Sequence, residues 1–101
     1  MMQTPQAKIL QDSHKWFVSG AILVDNANTI LLESESLNFN QQSHQVDFSN
    51  VTEVDTSAIS LMMEWQRRAL KENSKVTFTN LPVNLSSLTE LYGVAGFIPL
   101  S

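Results

Sequence analysis

The sequence contains no cysteine and only three glycines and three prolines, and positive charge is scarce. Each shortage closes off a class of function. Without thiols there are no disulfides, no thiolate metal sites and no cysteine nucleophile, which fits a cytoplasmic protein. Gly20, Gly93 and Gly96 are too few to build a phosphate-cradling loop of the P-loop or dinucleotide type. Six Lys and Arg stand against ten Asp and Glu, for a net charge of −4. That leaves no phosphate-binding face, so nucleic acid and anionic headgroups are poor ligands. No apolar run approaches the ~20 residues of a membrane helix. The stretch Met1 to Lys8 has no apolar core behind its charge and does not make a signal peptide. Direct membrane insertion is therefore not expected.

What is present is a chain of 101 residues with 43% hydrophobic content, enough for one core and too short for two. A single domain over 1–101 is expected, with 1–7 as a loose arm. Ile9-Leu10 begins a short edge strand. The aromatic and β-branched run Trp16 to Leu23 predicts a strand ending near Gly20. Asp25 and Asn26 are suited to helix N-caps. Ala27, Ile30, Leu31, Ser34 and Leu37 then recur at helical spacing, predicting a short helix that ends near Asn38–Asn40, before a polar loop at 40–43.

Val46 and Phe48 alternate with Gln45, Asp47 and Ser49, and Val76 and Phe78 alternate with Lys75, Thr77 and Thr79. Both patterns are strands with one buried face. Between them Thr56 to Asn73 forms the longest helix, so the two strands pair in parallel across a crossover. The alternation argues that helices cover only one face of the sheet. The helix's apolar residues spread over roughly 200° at about 100° per residue, wider than a stripe facing one sheet needs. The extra flank is either Ile59, Met63 and Leu70, or Leu61 and Trp65. Leu81, Leu85, Leu88 and Tyr92 mark a third helix, with Pro82 near its start and Gly93 at its stop. The tail Phe97-Ile98-Pro99-Leu100 is apolar and is expected to pack back on the domain.

Chemistry is hard to find. His14 and His44 stand in polar surroundings just before strands, which predicts a structural or surface role. No paired-His or HExxH spacing supplies a metal site. No serine lies in a nucleophile elbow and no acidic pair is evident. The chain is not expected to be an enzyme or to need a cofactor. One spot remains, Val54-Asp55-Thr56-Ser57-Ala58, where a loop enters the longest helix. Asp55 or Thr56 caps the first turn. The hydroxyls of Thr56 and Ser57 are also placed where a partner could read them.

Asp47-Phe48-Ser49 followed by Asn50-Val51-Thr52-Glu53-Val54-Asp55-Thr56-Ser57-Ala58 resembles the central signature of STAS domains. In that family a strand of the form D-F/L-S precedes x-V-x-x-V/I-D-S/T-x-G. The resemblance covers residues 9–95, with 46–58 as its specific part. Val76-Thr77-Phe78-Thr79-Asn80-Leu81 and Leu85 to Val94 resemble the MlaB-like branch. Ala58 departs from the family's glycine.

The resemblance implies an α/β fold with a mixed, partly parallel four- to five-stranded sheet and helices on one face. It implies a non-catalytic cytoplasmic subunit that binds the ATPase subunit of an ABC complex. That complex moves phospholipids and maintains outer-membrane lipid asymmetry, so the subunit meets the inner membrane only through its partner. The alternative it implies is a phosphorylation-switched anti-sigma factor antagonist that binds a kinase or anti-sigma partner. Thr56 then stands at the phosphorylated position, beside Asp55. Expected partner contacts are Asp55, Thr56, Ser57, Ser60 and Glu64 as polar groups, with Ile59 and Met63 supplying apolar area.

Overall fold

The structure, a computed structural model, describes residues 7–37, 39 and 43–100. Most of the expected N-terminal arm and the loop at 40–42 lie outside the described residues, as do Asn38 and Asn40. Ala7, at the end of that arm, packs against the core. The elements run β1 (Lys8–Asp12), β2 (Lys15–Ile22), α1 (Ala27–Ser34), β3 (Ser43–Val54), α2 (Thr56–Lys71), β4 (Lys75–Thr79) and α3 (Val83–Leu91), then a single 3-10 turn at Ala95–Phe97.

The four strands lie side by side in chain order. β1 and β2 form an antiparallel hairpin, whose two-residue turn places Ser13 at φ 58. β2–β3 and β3–β4 pair in parallel, with α1 and α2 as their crossovers. The tail adds a partial fifth member, since Phe78 N donates to Pro99 O at 2.9 Å and Leu100 bridges β4 in parallel. Trp16, Val18, Val46, Phe48, Val76 and Phe78 are buried on the helix side. The alternate positions Lys15, Phe17, Gln45, Lys75 and Thr77 stay partly or fully exposed. Asp47 also points away from the helices, yet it is buried. It accepts from Ser49 N at 2.7 Å and from Asn80 Nδ2 at 3.3 Å, with Lys15 Nζ 3.7 Å away.

The structure corrects several expected boundaries. β2 continues past Gly20 to Ile22, because Gly20 takes φ 86 and shifts the register there without ending the strand. The segment 50–54, expected as loop, is the second half of β3. It pairs with β2 through Ser19–Asn50, Gly20–Val51, Ala21–Glu53 and Ile22–Val54. Ser43 likewise belongs to β3 rather than to a loop. α1 stops at Ser34, short of the expected end. Arg68 from α2 reaches over and donates to the carbonyls of Ser34 and Leu37, satisfying groups that a longer helix would have used. α2 ends at Lys71, where Asn73 turns left-handed at φ 60 and Ser74 N bonds back to Ala69 O at 2.8 Å. In α3 the buried positions are Leu85 and Thr89, whereas Tyr92 turns outward at 59% exposure. Gly93 at φ 69 ends that helix as expected, with Gly93 N on Glu90 O and Val94 N on Thr89 O.

An aromatic box joins sheet to helices. Trp16 stacks on Phe39 at 4.4 Å between centroids and meets Trp65 edge-on at 5.6 Å. Trp65 Nε1 donates to buried Ser34 Oγ at 2.8 Å. The Arg68 guanidinium lies over both Trp16 and Phe39. His44 closes the box. Its surroundings are apolar rather than polar. It is fully buried, edge-on to Trp16 and Phe39, and neither ring nitrogen has a hydrogen-bond partner among the described residues.

Burial drives the His44 pKa below its ordinary 6.5, and His14 and Arg68 push the same way. The folded protein therefore binds fewer protons than the unfolded chain once pH drops below 6.5, and stability falls there. His44→Phe removes two unpartnered nitrogens. It should raise stability by ~1–2 kcal/mol near neutrality and flatten this acid-side loss. Urea unfolding of both proteins at about pH 7.5 and about pH 5.5 measures the difference.

Candidate functional site

The first turn of α2 is built around Asp55. Its backbone is extended at φ −132 and ψ −168, as an N-cap requires. Oδ1 accepts from Ser57 N at 2.8 Å, which satisfies one free N–H of the first turn. Oδ2 accepts from Val24 N at 2.9 Å, in the loop after β2. Asp55 N donates to Ile22 O at 3.2 Å, and Ala58 N donates to Asp55 O at 3.0 Å. One residue thus fixes the end of β3, the start of α2 and the β2–α1 loop. The same loop is braced by Asn26. Its Oδ1 accepts from Leu23 N at 2.8 Å and its Nδ2 donates to Ala21 O at 2.7 Å.

Burial alone would push the Asp55 carboxyl up. The hydrogen bonds from Val24 and Ser57 outweigh it and hold the carboxyl below its ordinary 3.8. It is ionised at neutral pH and suits the positive end of the helix macrodipole.

Asp55 takes the cap and leaves its neighbours free of that duty. Thr56 is exposed at the first helical position, and Ser57 is half-buried. Ser57, Ser60, Leu61 and Glu64 follow at helical spacing along the α1 side of α2. Together with Val24, Ala27, Asn28 and Leu31 they line a groove of about 260 Å³ between the two helices. Val24 stands beside it at 73% exposure.

The expected contact residues divide into three groups. Asp55, Thr56, Ser57, Ser60 and Glu64 lie together at this turn and groove. Ile59 faces inward at 7% exposure and belongs to the core cluster. Met63 lies on the opposite flank of α2, in a different groove. Of the two flanks left open by the sequence, Leu61 and Trp65 are buried, while Met63 and Leu70 stay exposed. Val24, Asn28 and Leu31 were not anticipated. The signal was available in Val24, an apolar residue beyond the end of β2, but only the Asp55 bond places it beside α2. Among the described residues no cluster of His, Asp or Glu could hold a metal ion.

A family model described as "Mlab, STAS domain" matches residues 15–100. The chain belongs to the STAS domain family. No curated protein matches it. The unphosphorylated anti-sigma factor antagonist SpoIIAA superposes with a TM-score of 0.71 at 10% identity, covering 95% of this chain and 88% of that one. An anti-sigma factor antagonist from Mycobacterium paratuberculosis gives a TM-score of 0.71 at 13% identity, over 98% of this chain and 89% of that one. At such identities the likeness is one of fold. In this STAS domain the departure Ala58 is fully buried, its methyl filling the chain's own core. No described helix is long and apolar enough to cross a membrane.

The cap makes a testable division of labour. Asp55→Ala should cost about 1–2 kcal/mol, since it leaves the Ser57 and Val24 amides without their acceptor. Thr56→Ala, at an exposed position that does not cap, should cost under about 0.5 kcal/mol. Urea denaturation at neutral pH compares the two.

Proposed function

We propose that this STAS domain is a non-catalytic docking subunit of the MlaB-like kind. It binds the ATPase subunit of an ABC complex that moves phospholipids and sustains outer-membrane lipid asymmetry. It works on the cytoplasmic side and reaches the inner membrane only through that partner. The supporting observation is the rigid, uncovered first turn of α2. Ser57 is held there by Asp55 and lines the groove between α1 and α2, and Thr56 stands exposed beside it. The family match is in keeping with this reading. A partner's side chain can enter between Val24, Leu31 and Leu61, while Thr56, Ser60 and Glu64 supply polar contacts at the rim. Ile59 adds apolar support from beneath, and Met63 extends the contact if the partner wraps across α2.

One observation favours a second reading, a phosphorylation-switched antagonist acting on a kinase or anti-sigma partner. Thr56 is exposed and its hydroxyl is not spent on capping. Phosphate there would add about −1.5 to −2 charges beside Asp55. In water a helix N-terminus holds such a charge. In a dry interface the same charge costs several kcal/mol.

Thr56→Arg and Thr56→Asp should keep the fold, since Asp55 is the cap, and should weaken partner binding roughly a hundredfold or more by burying a lone charge. Co-expression with the ATPase subunit, followed by affinity purification and ATPase assay, checks this. Failure of the unmodified protein to co-purify, with ATPase turnover unchanged by its presence, removes the transporter reading. Stoichiometric phosphate on Thr56 in protein isolated from cells, seen by mass spectrometry, would favour the switch instead. Loss of the circular dichroism signal in either variant would make Thr56 a structural residue.

A further inference from the structure

A second groove lies on the far flank of α2, away from Thr56. It is larger, about 580 Å³, and runs between the C-terminal half of α2, the start of β4 and the tail. Ala69 and Val76 floor it, and Met63, Leu70, Phe97 and Pro99 wall it. The tail wall is held in place. Gln66 Nε2 donates to Phe97 O at 2.7 Å, and Phe78 N donates to Pro99 O at 2.9 Å. Arg67 sits ~16 Å along the helix axis from Thr56, at 1.5 Å per residue. The two grooves share no lining residue.

We propose that this groove is a second docking site, which takes an acidic amphipathic helix from a partner protein. Two features select that occupant. The first is charge. Arg67 and Lys75 line the groove, and no carboxylate among the described residues does. Of the four basic residues between 67 and 75, these two line the groove, while Arg68 is engaged at the aromatic box, in a protein of net charge −4. Arg67 is paired with Glu64 at 2.9 Å, but the Arg67 side chain is 75% exposed and that of Glu64 44%, and such a solvated pair is weak enough to be exchanged for another carboxylate. Lys75 has no ion pair among the described residues.

The second feature is shape. Leu70 is 77% exposed and Phe97 71% exposed, so they stand proud of the rim instead of enclosing the space. A small molecule seeks enclosure on most sides. Projecting apolar side chains on either side of a groove are instead covered by a helix laid along it, with its own apolar face inward. The carboxylates of that helix then fall over Arg67 and Lys75.

The test uses the full chain and a dye-labelled helical peptide of about 18 residues, long enough to hold a helix, with Leu on one face and Glu on the other. Fluorescence anisotropy should show saturable binding that weakens with added salt. The same peptide carrying Lys for Glu should bind roughly tenfold or more weakly, from like-charge contact. Leu70→Ser and Lys75→Glu change exposed residues and should keep the circular dichroism spectrum, while each weakens binding about five- to tenfold. Leu32→Ser removes an exposed leucine from α1, outside this groove, and should change nothing. Absence of saturable binding overturns the proposal. So do equal binding of both peptides and binding indifferent to Leu70→Ser and Lys75→Glu. Displacement of the peptide by phosphatidylglycerol vesicles would make this face a lipid surface and likewise overturn it.

Discussion

The carboxylate of Asp55 is the constraint on which the proposed docking face depends. In a parallel β-α-β unit the loop after one strand and the helix after the next come close at the same edge, but nothing in the sheet itself fixes their spacing. Here one side chain spans them, with Oδ2 on the Val24 amide and Oδ1 on the Ser57 amide. Its main chain adds a bond to Ile22 O. The charge is favoured by the helix end it caps and by two directed donors, so the carboxylate is held more tightly than burial alone would allow. Because Asp55 does the capping, the threonine beside it is free to face solvent.

Behind this edge an aromatic cluster sits within a mostly aliphatic core. Trp16, Phe39, Trp65 and His44 meet at stacked and edge-on angles, and Arg68 lays its guanidinium over two of the rings. The same guanidinium takes the carbonyl of Ser34, the last residue of α1, and that of Leu37 beyond it. A cation that serves as helix cap, ring partner and partner of Glu72 cannot be exchanged for lysine, whose single ammonium lacks the planar fork.

Much of the fold was legible because one-sided burial leaves period-two strands and a long amphipathic helix in the sequence. β4 and the parallel crossover through α2 follow from Val76, Phe78 and the residues 56–71 almost directly. The illegible parts share a cause: they are decided by partners distant in sequence. Residues 50–54 look like loop because Asn50, Thr52 and Glu53 are polar, yet pairing with the bulged end of β2 makes them strand. For His44 the polar sequence neighbours left a structural and a surface role both open, and only Trp16 and Phe39 decide for the buried, structural one. Thr89, not Tyr92, turns inward because its hydroxyl bonds to Ser86 O and so becomes tolerable in the core. At the candidate site a cap at Asp55 or Thr56 was readable from local chemistry, and the Ser57 amide bond assigns it to Asp55. The contribution of Val24 and α1 was not, because it rests on a contact spanning 31 residues.

The two margins of the sheet are finished differently. β1 is only five residues long and ends in the charged side chains of Lys8 and Asp12, a poor template for adding chains. The β4 margin is screened at Phe78 by the segment that follows α3, through the Pro99 carbonyl and the Leu100 bridge. A sheet closed off in this way has little tendency to grow sideways into filaments. A contact on the helix layer, as proposed, can form and part again without unravelling the strands.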